Sequence, residues 1–209
     1  EMKLVELYKM LCRIYDIQNP QEIDRFIITD QAQKKDVSIG NRFSNRESLL
    51  IRESDDGLEI GLYISPDILR SIENNNPLDD PDALACVIEG TSHFLYLCEC
   101  IEKGRKVTQL ELELQAEVDK FLLLHLIAHS DGGSISPALF NMQFENHAFD
   151  PALDPSEIQR YRDANRFAAK YCHQLLSNYF NPLRFSDLLV QVRDFFHKNL
   201  SEKIWMLTP

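Results

Sequence analysis

Glu89 and His93 stand four residues apart inside Ala83–Cys98, the most apolar run of the chain. On a helix that spacing sets a carboxylate and an imidazole one turn apart on one face. Such a pair either ligates a metal ion or satisfies itself by hydrogen bonding within a core. At about 100° per residue, Cys86, Glu89, His93, Tyr96 and Cys100 share one stripe of the helix. Valine, phenylalanine and leucine fill most of the remainder. Further on, Leu110, Leu114, Val118, Phe121 and Leu124 form an apolar face with Glu117 in its middle, and Gln115 and Asp119 lie one turn apart on its flank. An antiparallel turn at Lys103–Gly104–Arg105 sets His93 level with Glu117. Burying an isolated carboxylate is costly, so Glu89 and Glu117 must be paired, protonated, ligated or solvated. Three arrangements are open. His93 bridges the two glutamates in a core; Glu89, His93 and Glu117 hold zinc or another divalent first-row ion; or the stripe lines a solvated groove.

The elements that position these residues follow from periodicity and turn chemistry. Two long helices meet at Gly104, the first preceded by the acidic Asp79–Asp82 segment that suits a helix N-terminus. Upstream, Ser48–Arg52 and Leu58–Ile64 read as a β-hairpin turning at Asp56–Gly57. Ser65–Pro66 opens a short helix through Ile72. Leu4, Leu7, Tyr8, Leu11, Ile14 and Tyr15 make residues 2–16 an amphipathic helix, ended by Asn19–Pro20, and Arg25–Thr29 is a short β-prone run. Residues 31–46 read as a loop with a turn at Gly40–Asn41. Asp131–Ser134 stops the second long helix. Residues 134–154 read as irregular, anchored by Phe140, Phe144 and Phe149. Helices over Pro155–Tyr179 and Ser186–Leu200 follow, then a short apolar run, Ile204–Leu207, of strand character. The expected fold is α+β and predominantly helical: a small antiparallel hairpin packed on a long helix hairpin, with a C-terminal helical pair. It is expected as a single domain over 2–209, with residues 47–130 as the core and 155–200 packed on it.

Lys and Arg number 22 against 33 Asp and Glu, a net charge of −11. That balance opposes binding to phosphate backbones and to anionic membrane surfaces, so neither nucleic acid nor membrane is an expected partner. Glu89 and His93 interrupt the best apolar stretch, and Lys3, Glu6, Lys9 and Arg13 break any apolar leader region. Five cysteines, none in a CxxC pair, read as reduced thiols of a cytoplasmic protein.

The order of hairpin, helix bearing Glu89-Gly-Thr-Ser-His93, turn, and helix bearing Gln115-Ala-Glu-Val-Asp119 resembles the core of zincin metallopeptidases over residues 47–125. There a strand pair precedes a helix with His-Glu-x-x-His, and a later helix supplies a third-ligand glutamate. The resemblance places Glu89 at the first histidine and His93 at the second. Gln115 or Glu117 takes the third-ligand place, and Asp119 resembles the residue that supports it. Tyr96, one turn beyond His93, is read with Gln115 and Asp119 as a supporting residue. Gly90 stands where the catalytic glutamate belongs and cannot act as a general base. The resemblance therefore implies a degenerate, metal-binding core rather than a working peptidase. The alternative is a helical interaction or regulatory protein, with a protein partner or a second copy of itself, whose polar stripe keeps helices in register.

Other candidates are weaker. His125 and His129 are spaced for one helix face, but Leu126 follows where a metallopeptidase has glutamate, and histidines suit a helix C-terminus. Cys98 and Cys100 fall on different faces and read as core thiols. Arg160, Arg162 and Arg166 with Glu157 and Asp163 read as a solvated helix face. No glycine-rich phosphate loop and no GxSxG elbow occurs.

Overall fold

The computed structural model describes residues 4–29, 46–54, 57–74, 76–130, 137–145 and 154–207. The helix hairpin forms its centre. Helix α3 (Pro81–Glu102) starts where Asp80 caps it, its side chain accepting from the Ala83 amide at 3.0 Å, with Pro81 in the first turn. It stops at Gly104, whose φ of +61° lets the Arg105 amide reach back to the Cys100 carbonyl at 2.8 Å. Helix α4 (Gln109–Ser130) then returns along it. Helix α1 (Leu4–Ile14) buries Leu4, Leu7, Tyr8 and Leu11 against α3, and α2 (Pro66–Asn74) buries Ile68 and Ile72 there.

Strands β2 (Glu47–Ser54) and β3 (Gly57–Ile64) pair antiparallel, Glu47 opposite Ile64 and Ser54 opposite Gly57. The two-residue β1 (Ile27–Ile28) joins β3 in parallel, so the sheet is mixed rather than wholly antiparallel. Both long strands lie against α3, which is thereby enclosed by α1, α2, α4 and the sheet. By length and composition α3 could cross a membrane, but 72% of its apolar window is buried inside the fold, as in a core helix.

After α4 come α5 (Pro137–Phe144) and α6 (Pro155–Leu175), the latter ending in a wide turn, Leu176–Phe180, of π type. Helix α7 (Phe185–His197) and α8 (Leu200–Met206) close the chain. Two expectations are corrected here. Part of the stretch expected to be irregular is α5, whose Phe140 and Phe144 pack around Phe121. The C-terminal run expected as a strand is α8, because Asn199 and Glu202 form a reciprocal cap on each other's amides. Residues 31–45 of the loop expected over 31–46, Asp56 of the expected hairpin turn, the stop at Asp131–Ser134 and the anchor Phe149 lie outside the described residues.

Candidate functional site

Three elements bring carboxylates to one imidazole. Glu89 and His93 come from α3, Glu47 from the first residue of β2, and Glu113 from α4. One ligand atom each from Glu47, Glu89 and His93 lies within 4.8 Å of the other two. It is the one such convergent group among the described residues. Glu113 Oε2 stands 3.6 Å from His93 Nε2. His93 is 7% exposed, and its Nε2 is enclosed without a hydrogen-bond partner. A buried ring nitrogen in that condition is the exception in folded proteins and asks for an explanation.

Gly90 explains how Glu47 gets there. A Cβ at position 90 would stand 3.2 Å from Glu47 Oε2 and 3.1 Å from Leu62 Cδ1. The missing side chain lets β2 deliver its carboxylate to the flank of α3. Burial pushes the Glu47 carboxyl up to about 8, Glu89 and Glu113 adding to the effect while His93 and Lys120 oppose it. Burial alone would lower His93, but the carboxylates of Glu113, Glu47 and Glu89 prevail and hold it up to about 9.

Lys120 closes the cluster from α4. Its ammonium donates to Glu89 Oε2 at 2.9 Å and to Glu117 Oε1 at 2.7 Å, with its side chain 8% exposed. Burial disfavours that charge, yet Glu117 and Glu89 raise the group above its ordinary range.

The structure brings Glu89 and His93 together and sets Glu117 across Lys120 from Glu89, outside the group that converges with His93. Instead of facing His93, Glu117 pairs with Lys120 and accepts from Gln143 Nε2 at its backbone oxygen (2.7 Å) and at Oε2 (3.1 Å). Glu113, one turn earlier, takes the expected place beside the imidazole. The reason is angular. Glu113, Glu117 and Lys120 share one stripe of α4, and the helix crossing decides which of them meets His93.

Gln115, Asp119 and Tyr96 are likewise not around Glu89 and His93. On α4, positions 111, 115 and 119 form a second stripe, turned away from 113 and 117. Asp119, fully buried, accepts from Ser92 Oγ at 2.5 Å, from Gln115 Nε2 at 3.0 Å and from the Tyr15 hydroxyl. Gln115 Oε1 accepts from Lys203 Nζ at 2.7 Å, and that ammonium lies 4.2 Å from the Tyr96 ring centre. The Tyr96 hydroxyl donates to Glu111 Oε1 at 2.6 Å and accepts from Arg105 at 2.9 Å. This network ties α1, α3, α4 and α8 together. Burial drives Asp119 up to about 6 and Lys203 down to about 7.

The remaining candidates have structural partners. His125 Nδ1 is 2.8 Å from the Phe121 carbonyl, and its ring packs on Phe121 and Phe180, while His129 packs on Phe185. All five cysteines are free thiols, and burial raises them, Cys98 to about 12. Arg166 pairs with Asp163 at 2.9 Å on an exposed face. A cleft of about 310 Å³ beside Tyr8, Phe26, Ile60 and Cys98 shares no residue with the carboxylate cluster.

Sequence reasoning missed Glu47, Glu113 and Lys120. The signal for the first was Gly90 itself. A glycine inside an otherwise apolar helix is unfavourable unless something approaches closely. Comparison of the chain with protein-family models, curated proteins and solved structures finds no match.

Proposed function

We propose that this chain is a metal-binding protein that holds a first-row divalent ion through Glu47, Glu89 and His93, with Glu113 beside the imidazole. The observation that carries the reading is the buried Nε2 of His93, which makes no hydrogen bond and stands 3.6 Å from Glu113 Oε2, on a ring that converges with Glu47 and Glu89. A neutral imidazole with two or three carboxylates is a donor set for zinc, manganese or iron(II). The proposal takes from the zincin-like reading only an order of elements: a hairpin, then α3 with His93, then α4 with a carboxylate. Peptide hydrolysis by a zinc-bound water is not part of the proposal, since Gly90 offers no base and Glu47 is placed among the ligands. A reducing, cytoplasmic setting suits five free thiols.

The test is elemental analysis of protein purified without chelator, and again after loading with manganese or zinc and desalting. About one equivalent, lost in His93→Ala and reduced in Glu47→Gln, is expected. Protein that holds no ion after loading overturns the reading.

A second reading is favoured by Lys120, whose ammonium already compensates Glu89 and Glu117. In it the cluster only holds α3, α4 and the sheet in register, in a protein that works through a partner. It expects no metal in either sample and a destabilised Glu89→Gln/Glu117→Gln variant, because that variant strips a buried ammonium of both carboxylates it pairs with.

A further inference from the structure

The Glu89 carboxylate belongs to two cation positions at once. On one side are Glu47 and His93, with ligand atoms that converge within 4.8 Å. On the other side is the Lys120 ammonium, seated 2.9 Å from Glu89 and 2.7 Å from Glu117. In two-metal centres the ions sit about 3.5–4 Å apart and commonly share such a carboxylate. The second position here is lined by Glu89 and Glu117, whose side chains are 24% and 10% exposed. Gln143, from α5, fixes Glu117 from behind by donating to its Oε2 at 3.1 Å.

We propose that Lys120 Nζ occupies the second cation position of what would otherwise be a two-metal carboxylate centre, and so limits this protein to one ion. The inference extends the metal reading, but only its first position rests on that reading. Lysine suits the role because it is a compact charge that two carboxylates can enclose. It also cannot dissociate, so the second position is filled at every metal concentration. Removing the ammonium while keeping the chain length uncovers two carboxylates that have lost their shared counter-charge, a vacancy a divalent ion can fill.

The experiment counts manganese bound by wild type and by Lys120→Gln, using equilibrium dialysis against manganous chloride followed by elemental analysis. The variant is expected to bind one equivalent more than wild type. The double variant Lys120→Gln/Glu117→Gln is expected to lose that extra equivalent. A folded Lys120→Gln that binds no more than wild type overturns the inference. The wild-type count separately decides the metal reading, so the two fail distinguishably. With none in wild type and one in the variant, the role of Lys120 stands and the metal reading falls. With one in each, the reverse holds. Should Lys120→Gln be unfolded on its own, its refolding is followed by circular dichroism in rising manganese. Restoration of the helical signal supports the inference, and a variant that no divalent ion restores overturns it.

Discussion

Asp119→Ala isolates what the buried network between α1, α3, α4 and α8 contributes. The carboxylate is fully buried and accepts from Tyr15, Ser92 and Gln115. On truncation Gln115 Nε2 keeps a partner, the Tyr15 oxygen at 3.0 Å. The Ser92 hydroxyl loses its acceptor, as does the Tyr15 hydroxyl. Each buried donor left unsatisfied costs about 1–3 kcal/mol. Lys203 also loses a nearby negative charge. Removing one member of a buried charged network typically costs about 3–5 kcal/mol, and the same range is expected here. Chemical denaturation at pH 7 measures it directly. For a chain of this size each kcal/mol moves the melting temperature by about 2–4 °C, so the midpoint should fall by about 6–20 °C. Asp119→Asn keeps an acceptor oxygen but turns an amide toward one of the donors. Its loss should be smaller, about 1–3 kcal/mol. A loss under about 1 kcal/mol for Asp119→Ala would refute the claim that this network holds the helices together.

Three further outcomes follow from the same structure. In Lys203→Met the stability deficit relative to wild type depends on pH. Burial sets the folded-state value near 7 against 10.5 for the free side chain, so between these the unfolded state holds the proton and the folded state does not. Wild-type stability relative to the variant should therefore rise from pH 7 to pH 10, on the order of several kcal/mol, and a flat difference curve would count against a buried, depressed lysine. Gly90→Ala should press on Glu47 Oε2, 3.2 Å from the new methyl, and weaken manganese binding about tenfold in a chelator competition. The gain of about 1 kcal/mol in helix propensity should leave its melting temperature near wild type, which separates a displaced ligand from a damaged fold. Phe121→Ala removes a fully buried ring that contacts Phe140, Phe144, Phe180 and His125, and should cost about 3–5 kcal/mol in urea unfolding.

The helix hairpin was legible because its signals are local. Asp80 and Pro81 open α3, Gly104 closes it, and apolar periodicity fills both helices. The β-hairpin was legible for the same reason. The parallel placement of β1 was not, because it pairs Ile27 with Leu62, far apart in the chain, beside the close approach of Ile28 to Gly61. A Cβ there would lie 2.4 Å from Ile28 Cδ1, a steric fact with no sequence period. In the site, Glu89 and His93 share a face by spacing alone, so their proximity could be read directly. Glu47 reaches them from another element, and the choice between Glu113 and Glu117 turns on how α3 and α4 cross. A difference of one helical turn on the same stripe leaves no trace in periodicity. Lys120, three residues beyond Glu117, accords with that outcome, since an ammonium so placed pairs with the nearer carboxylate.

Charge balance connects the cluster to its proposed role. Glu47, Glu89, Glu113 and Glu117 gather around two cationic groups, Lys120 and His93. Four carboxylates so close together favour states that hold protons. Glu47 is pushed toward its neutral acid, and His93 is held as imidazolium well above its ordinary range. Both are states a metal ligand must leave, since carboxylate and neutral imidazole are the coordinating forms. A divalent ion that displaces one proton from each brings in two positive charges as two depart. The cluster's net charge is then unchanged, and the protons that compensated the carboxylates give way to a cation that compensates them and satisfies Nε2 of His93. Lys120 cannot be exchanged in this way, because it is tied to the chain. The same carboxylate pair that requires a counter-charge at Glu89 and Glu117 therefore receives a permanent one, and in the proposed metal reading the exchangeable position is the one on the side of Glu89 that faces His93.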